Sequence, residues 1–375
     1  MINFGLGRRV LLAILVLTAG SLVGQGLPNP VAKSFNLPHG CDGEIRVVKR
    51  LNANEIIVGG QFNTCGLSRA RSIAIYDEMS STWRPLGSES LVGFVQFASP
   101  EVNSIAVDGG RIYIAGRFSA AGQLSSRNIA YFESGVWHSM GDGLTKEDPT
   151  FSWVNEIRIH NGTVFAGGAF ERSGGLAVDN ISMWDGEAWL PMGAGVDGEV
   201  NALEIHDGEL IIGGNFDFSG AISVSNVALW DGVNISPVGS GLSATVNALT
   251  SIGGRAYAAV FTSDRVMEWD GLSWESISGL TDTPNAFAAM GGELFAVGTF
   301  ANFDSSVVRL VGNAWHSLSV TPQPTVLNIF ADGDDLLVVG SFDSVSSTVA
   351  NGVAKLSGEE WASLGPFGGL GVTPS

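Results

Sequence analysis

Val200-Asn-Ala-Leu-Glu-Ile-His-Asp-Gly-Glu-Leu-Ile-Ile-Gly-Gly-Asn-Phe216 holds two short apolar runs divided by a turn at His206-Asp-Gly208. Runs of this length, bounded by Gly, Asp and Asn, predict two strands joined as a hairpin. A polar loop through Ser219-Gly220 then leads to Asn226-Val-Ala-Leu-Trp230, and Asp231-Gly232 turns the chain into Ile235-Ser-Pro-Val-Gly239. The unit therefore supplies a four-stranded antiparallel meander. Its strands are apolar on both faces, as Val200, Ala202, Leu203 and Ile205 show, whereas a solvent-facing sheet alternates more strictly.

The same unit recurs along the chain, marked by glycine, any residue, then phenylalanine. It reads Gly60-Gln-Phe62, Gly116-Arg-Phe118, Gly168-Ala-Phe170, Gly214-Asn-Phe216, Gly298-Thr-Phe300 and Gly340-Ser-Phe342, with Ala259-Val-Phe261 as a degenerate copy in the one gap. Seven copies at this period decide the architecture before anything else does. Small sheets buried on both faces are satisfied when stacked radially about an axis, an arrangement that leaves few exposed edges. The expected fold is all-β, a seven-bladed β-propeller of four-stranded antiparallel blades over 44–365. An open β-array is the structural alternative. With 51 Gly residues the chain is poorly suited to helical solenoids.

Large side chains close each copy at a fixed phase. Tyr76, Phe132, Trp184, Trp230 and Trp269 end the third strands, with Leu310 and Leu356 in the last two copies. Trp83, Trp137, Trp189, Ile235, Trp274, Trp315 and Trp361 follow in the fourth strands, where packing between blades is the expected role.

A Gly-Gly strand end, an aromatic-Asp turn and a downstream Trp resemble kelch-type propellers of the galactose-oxidase-like class. Ile56-Ile-Val-Gly-Gly60, Tyr76-Asp77 and Trp83-Arg-Pro-Leu86 carry that resemblance in the first copy. Val-Asn-Ala-Leu, Gly-x-Phe and Trp-Asp-Gly-x-x-Trp are also similar to repeats of bacterial exported proteins and fungal cortical-marker propellers. The resemblance implies the fold more than an activity, since propellers host unrelated chemistries. Galactose oxidase holds copper through Tyr and His, including a Tyr crosslinked to Cys. The four Tyr and five His here fall into no such spacing, so no cofactor and no metal site is expected.

Arg8-Arg9 precede an apolar stretch from Val10 to Val23, and small residues follow at Gly24 and Gly26. This pattern predicts a signal peptide over 1–26, then an N-terminal segment over 27–43 and a tail over 366–375. An uncleaved anchor is the alternative, although the stretch is short of the roughly 20 residues that a span needs. The expected location is secreted, periplasmic or at the cell surface, with no membrane span in the mature chain. Cys41 and Cys65 flank the first two strands of copy one and are expected to form a disulfide.

Cleavage removes Arg8 and Arg9 and no acid, so a net charge of −18 becomes −20. Such a chain is a poor partner for nucleic acid, where basic patches dominate affinity. The Asp residues of Asp185-Gly186, Asp231-Gly232 and Asp270-Gly271 read as hairpin residues rather than catalytic acids. His160, His206, His138 and His316 read as exposed residues without a chemical partner. No catalytic residue is identified.

The copies differ in their loops. From the Gly-x-Phe aromatic to the end of strand three is 14 residues in copies one to four and seven, but 8 in copy five and 10 in copy six. The connection to the next blade is also longest after copies one and two. An up-down-up-down meander places the 2–3 loops and the 4–1 connections on one face, built high over blades one to three. That high side carries Arg69, Arg71, Arg127 and Arg172 together with Phe94, Phe97, Phe151 and Trp153. Arginines and aromatics on loops of a rigid scaffold are the makings of a recognition surface. The expected function is therefore a monomeric, non-catalytic binding or scaffolding module for a protein or glycan. A carbohydrate-active propeller enzyme and a structural cell-surface component are the alternatives.

Overall fold

The computed structural model describes residues 40–88, 91–93, 99–318, 325–358 and 360–364. The expected signal peptide, the tail, and the loop residues Phe94 and Phe97 lie outside the described residues. Seven four-stranded antiparallel sheets span 44–85, 101–139, 153–191, 199–237, 246–276, 286–317 and 325–363. In the fourth, Glu199–His206, Glu209–Asn215, Val227–Trp230 and Ile235–Pro237 pair in that order. The seventh sheet is completed by its own last strand, Glu360–Ser363, so all four of its described strands come from one copy.

Each first strand touches the first strand of the next blade, and that of blade seven touches that of blade one. The ring is closed. Seven apolar clusters fill the seven interfaces between blades, the closing one uniting Ile45, Val58 and Trp83 with Leu337, Val339 and Leu364. Each large apolar side chain fully buried there stabilises the fold by about 1.5–3 kcal/mol. The Phe residues of Gly-x-Phe are buried in blades one to four and six, and partly buried in blade seven.

Blade five departs from the letter pattern. Phe261 is 57% exposed and takes no core position. Its strand register explains this. Val246 pairs with Val260 as Val200 pairs with Gly214, so Val260 is the counterpart of the motif glycine and Phe261 falls one position short of the core site. In blade four, a Cβ at Gly214 would overlap the carbonyl oxygen of Glu199, which is why a glycine stands there.

The close approach at Gly214 comes from a bulge in the first strand between Val200 and Ala202. Equivalent irregularities recur in blades one, two, three, five and seven. A bulge leaves one residue out of the ladder and re-aims its side chain. In blades two to five that residue is Asn and its amide bonds the neighbouring blade, as do Asn285 of blade six, which has no bulge, and Asn328, which follows the bulge of blade seven. Asn103 Nδ2 donates to Val154 O, Asn155 to Val200 O, Asn201 to Val246 O, Asn247 to Pro284 O and Asn285 to Val326 O, all at 2.9–3.1 Å. Asn328 Nδ2 donates to Arg46 O at 3.0 Å, and Arg46 Nη1 to Asn103 Oδ1 at 3.1 Å. A belt of side-chain amides thus runs around the axis.

The aromatic pairs prove to be cross-strand partners within a blade as well as contacts between blades. Trp184 lies opposite Trp189 with ring centroids 5.5 Å apart, and Trp189 Nε1 reaches back to Met140 O of the preceding blade at 3.0 Å.

Candidate binding face and axial channel

The 2–3 loops of blades one, two, three, four and seven fold into short ribbons, as in Arg172–Ser173 with Leu176–Ala177. The shorter loops of blades five and six form none among the described residues. The 4–1 connections lie against these ribbons. Thr145, between blades two and three, exchanges backbone hydrogen bonds with Arg172, and Leu144 N donates to Arg127 O. Asn128, Asn180 and Asn226 pin the same connections from beneath, their Nδ2 atoms donating to Leu144 O, Val196 O and Leu242 O. All three have positive φ, a conformation that Asn tolerates better than most residues.

Cys41 and Cys65 are joined as a disulfide, tying the entry of blade one to its ribbon. Gly40 bridges to Asn351 in blade seven, so the tie sits at the closure of the ring.

The structure brings some of the expected site residues together and separates others. Arg127 and Arg172 flank the connection after blade two and line an open groove of about 520 Å³ with Lys146, a groove that Asp142 and Glu147 also line. Lys146 escaped the sequence reading, although it is the one lysine on that connection. Arg69 is exposed on the ribbon of blade one and Arg71 half-buried just after it, both outside this groove. Phe151 ends a 3₁₀ turn, Pro149–Phe151, and is 56% exposed. Trp153 is not on a loop. It opens the first strand of blade three, donates Nε1 to Glu199 Oε1 at 2.7 Å, and lines a neighbouring groove whose acids include Glu171 and Asp197.

Charge pairing sets this face apart. Arg46, Arg50, Arg84, Arg111, Arg117, Arg158, Arg255, Arg309 and Lys355 each meet a carboxylate, whereas Lys49 in the channel meets none among the described residues. No ion pair to a described residue is found for Arg69, Arg71, Arg127, Lys146, Arg172 or Arg265, and all six stand on 2–3 loops or 4–1 connections. In a chain with 37 acids against 19 bases, cations left without carboxylates are the exception.

The turn residues behave as the sequence suggests. The carboxylates of Asp185, Asp231 and Asp270 each accept two backbone N–H bonds within their own turns, which holds them below the ordinary carboxylate range. Gly186, Gly232 and Gly271 supply the positive φ. The histidines differ from expectation. His206 is buried, with Nδ1 2.9 Å from Ser251 Oγ, and His138 stacks on Tyr131 with centroids 4.6 Å apart.

A second cavity, about 480 Å³, lies along the axis and is lined by the first strands. Three residues beyond the amide belt, blade one presents Lys49, blade three Arg158 and blade four Glu204, while blades five and six present Thr250 and Ala288; in blade seven Phe330 stands two residues past Asn328. Arg158 bonds Glu156 Oε1 at 2.6 Å and Glu204 Oε2 at 3.2 Å. Lys49 Nζ stands 4.3 Å over the Phe330 ring. Burial, with Arg158 nearby, pulls the Lys49 ammonium down to about 8, and burial pushes the Glu156 carboxyl up. Among the described residues, no three His, Cys, Asp or Glu side chains gather as a metal site, and no helix is long and apolar enough to cross a membrane.

Residues 152–290 match the family model of the Rax2 C-terminal beta propeller domain. No curated protein matches the chain. Among solved structures, the chain resembles the extracellular domain of a putative hybrid two-component system from B. thetaiotaomicron, at TM-score 0.54 and 11% identity, over 85% of this chain and 38% of that one. It also resembles YCF48 bound to D1 peptide, at 0.51 and 14%, over 81% and 90%, and the WD40 beta propeller domain of Doa1, at 0.50 and 12%, over 82% and 92%. The chain spans less than half the length of the first of these and most of the other two. Sheet order, ring closure and these likenesses agree: the chain is a β-propeller.

Proposed function

We propose that the chain is an exported, non-catalytic propeller whose ribbon face over blades one to three binds an acidic protein or glycan. The observation that carries this reading is that five of the six loop cations without ion pairs stand on that face, with Arg127, Lys146 and Arg172 outnumbering Asp142 and Glu147 in one groove. An unpaired guanidinium keeps its planar fork of donors available for a carboxylate or sulfate of the partner. Pinning of the connections by Asn128 and Asn180 pre-organises the groove, which lowers the entropic cost of association. YCF48, a propeller of like fold, is described bound to a peptide, in keeping with a peptide-binding use of such a scaffold. The disulfide fits passage through an oxidising compartment, and residues 1–26 would direct that export.

The test is an array of carboxylated and sulfated glycans and acidic peptides, probed with the mature chain and with an Arg127→Ser/Lys146→Ser/Arg172→Ser variant. Loss of three charge-assisted contacts predicts binding weaker by at least about a thousandfold, at about 1.5 kcal/mol or more for each. Binding by the variant equal to that of the parent chain overturns the assignment of this face.

A further inference from the structure

The axial channel holds charge that ring closure does not require. The amide belt already links neighbouring blades, and at the depth of Lys49 a small apolar residue suffices in blade six, where Ala288 stands. Taking an ion out of water costs several kcal/mol unless partners repay it. Arg158 is repaid by two carboxylates, using one oxygen of each. Glu156 and Glu204 line the cavity beside Arg158. Lys49 has three N–H donors, an aromatic face beneath it, and no carboxylate within ion-pair distance among the described residues. Blades one and seven therefore offer an ammonium beside a ring, and blades three and four offer two carboxylates with a single guanidinium between them. About 480 Å³ of space lies along the channel, enough for a molecule of monosaccharide or amino-acid size.

We propose that the channel binds a small carboxylate carrying hydrogen-bond donors at its other end, with the carboxylate on Lys49, its carbon face on Phe330, and its donors on Glu156 and Glu204. Sugar acids and amino acids share this chemistry. An attack on a ligand bond is no part of the proposal, since the channel presents donors and acceptors without a nucleophile placed beside a base.

Isothermal titration of the mature chain with glucuronate in one arm, and with alanine and phenylalanine in the other, tests the site, with glucose as the neutral control. Saturable one-to-one binding in one arm is expected, and the arm identifies the source. The methyl ester of that ligand should bind about tenfold more weakly or worse, because a charge-assisted contact is lost. Lys49→Met should have the same effect, and binding should weaken above about pH 8 as Lys49 gives up its proton. Should Lys49→Met fail to fold, Phe330→Leu removes the ring at similar volume and should weaken binding severalfold. Absence of saturable binding in both arms overturns the proposal, as does an ester or a Phe330→Leu variant that binds like its parent. Arg127→Ser/Arg172→Ser should leave this titration unchanged, which separates the channel from the ribbon face.

Discussion

Blades one to three and blades five and six share one strand plan and carry different superstructures. The first group bears ribbons, long connections, a disulfide and five of the six loop cations without ion pairs, Lys49 in the channel being a seventh such cation. The second group bears short loops, with Arg265 its one such cation. The same division appears inside the channel, where blades one, three and four contribute Lys49, Arg158 and Glu204 and blade six contributes Ala288. Strand pairing and the apolar interfaces are common to all the blades, so neither can tell one side from the other. What varies is chemistry added to positions that the fold leaves free, and that is where recognition has room to evolve without loss of the ring.

Four experiments would break or sharpen this contrast. The largest difference is expected between two phenylalanines that look alike in sequence. Phe170→Ala removes a fully buried ring in blade three and should cost about 3–5 kcal/mol in a denaturant melt, whereas Phe261→Ala in blade five should stay within about 0.5 kcal/mol. Equal losses would mean that blade five keeps the regular core after all. Next, Cys41→Ser/Cys65→Ser should lower stability by about 3 kcal/mol, with the same drop when the parent chain is melted under reducing conditions.

The third effect is one of pH. The Lys49 ammonium titrates near 8 in the folded chain and near its ordinary 10.5 when unfolded. Below pH 8 both states are protonated and the cost of burying the charge is fully present. Between about pH 8 and 10.5 the unfolded chain binds the extra proton, so stability should rise with pH, by of order 1–2 kcal/mol. Melts of Lys49→Met across that window should lack this component of the slope. The smallest effect concerns the amide belt. Asn247→Ala gives up one strong bond to Pro284 O and should cost about 1 kcal/mol, while Asn155→Ala, which also loses Glu199 Oε1, should cost somewhat more.

The strand plan was legible because Gly-x-Phe, the Asp-Gly turns and the paired aromatics each answer to local geometry. Phe261 shows where such reading stops. The letters fit, but the register is fixed by the bulge opposite Val260, and a loop of 8 residues leaves no ribbon over a phenylalanine. Val-Asn-Ala-Leu was visible as a motif, yet its amide bonds a carbonyl 37–51 residues away, a partner that only the closed ring supplies. The channel was harder still, since Lys49, Arg158, Glu204 and Phe330 come from four blades. Stacking the first strands and reading down the column three residues past the asparagine gives Arg158 and Glu204, but Lys49 follows Arg46 in a blade without that asparagine and Phe330 stands only two residues past Asn328. Arg127 and Arg172 stood out in the sequence because cations are scarce, and Trp153 was misplaced because an insertion before it was read as extending through it.

The belt of amides has a seam, and the seam bears on how the molecule folds. From Arg46 to Asn285, each donor reaches an acceptor 37–57 residues along the chain, so each blade can dock on the one before it while the rest is still unfolded. Asn328 to Arg46 and Arg50 to Asp332 instead span 282 residues. Contacts of such long range form late and govern the rate. Until they form, the chain is an unclosed stack with a bare first blade at one end and a bare last blade at the other. Two molecules caught at that stage could each complete the other, and slow refolding at high concentration would then yield paired rings in place of single ones.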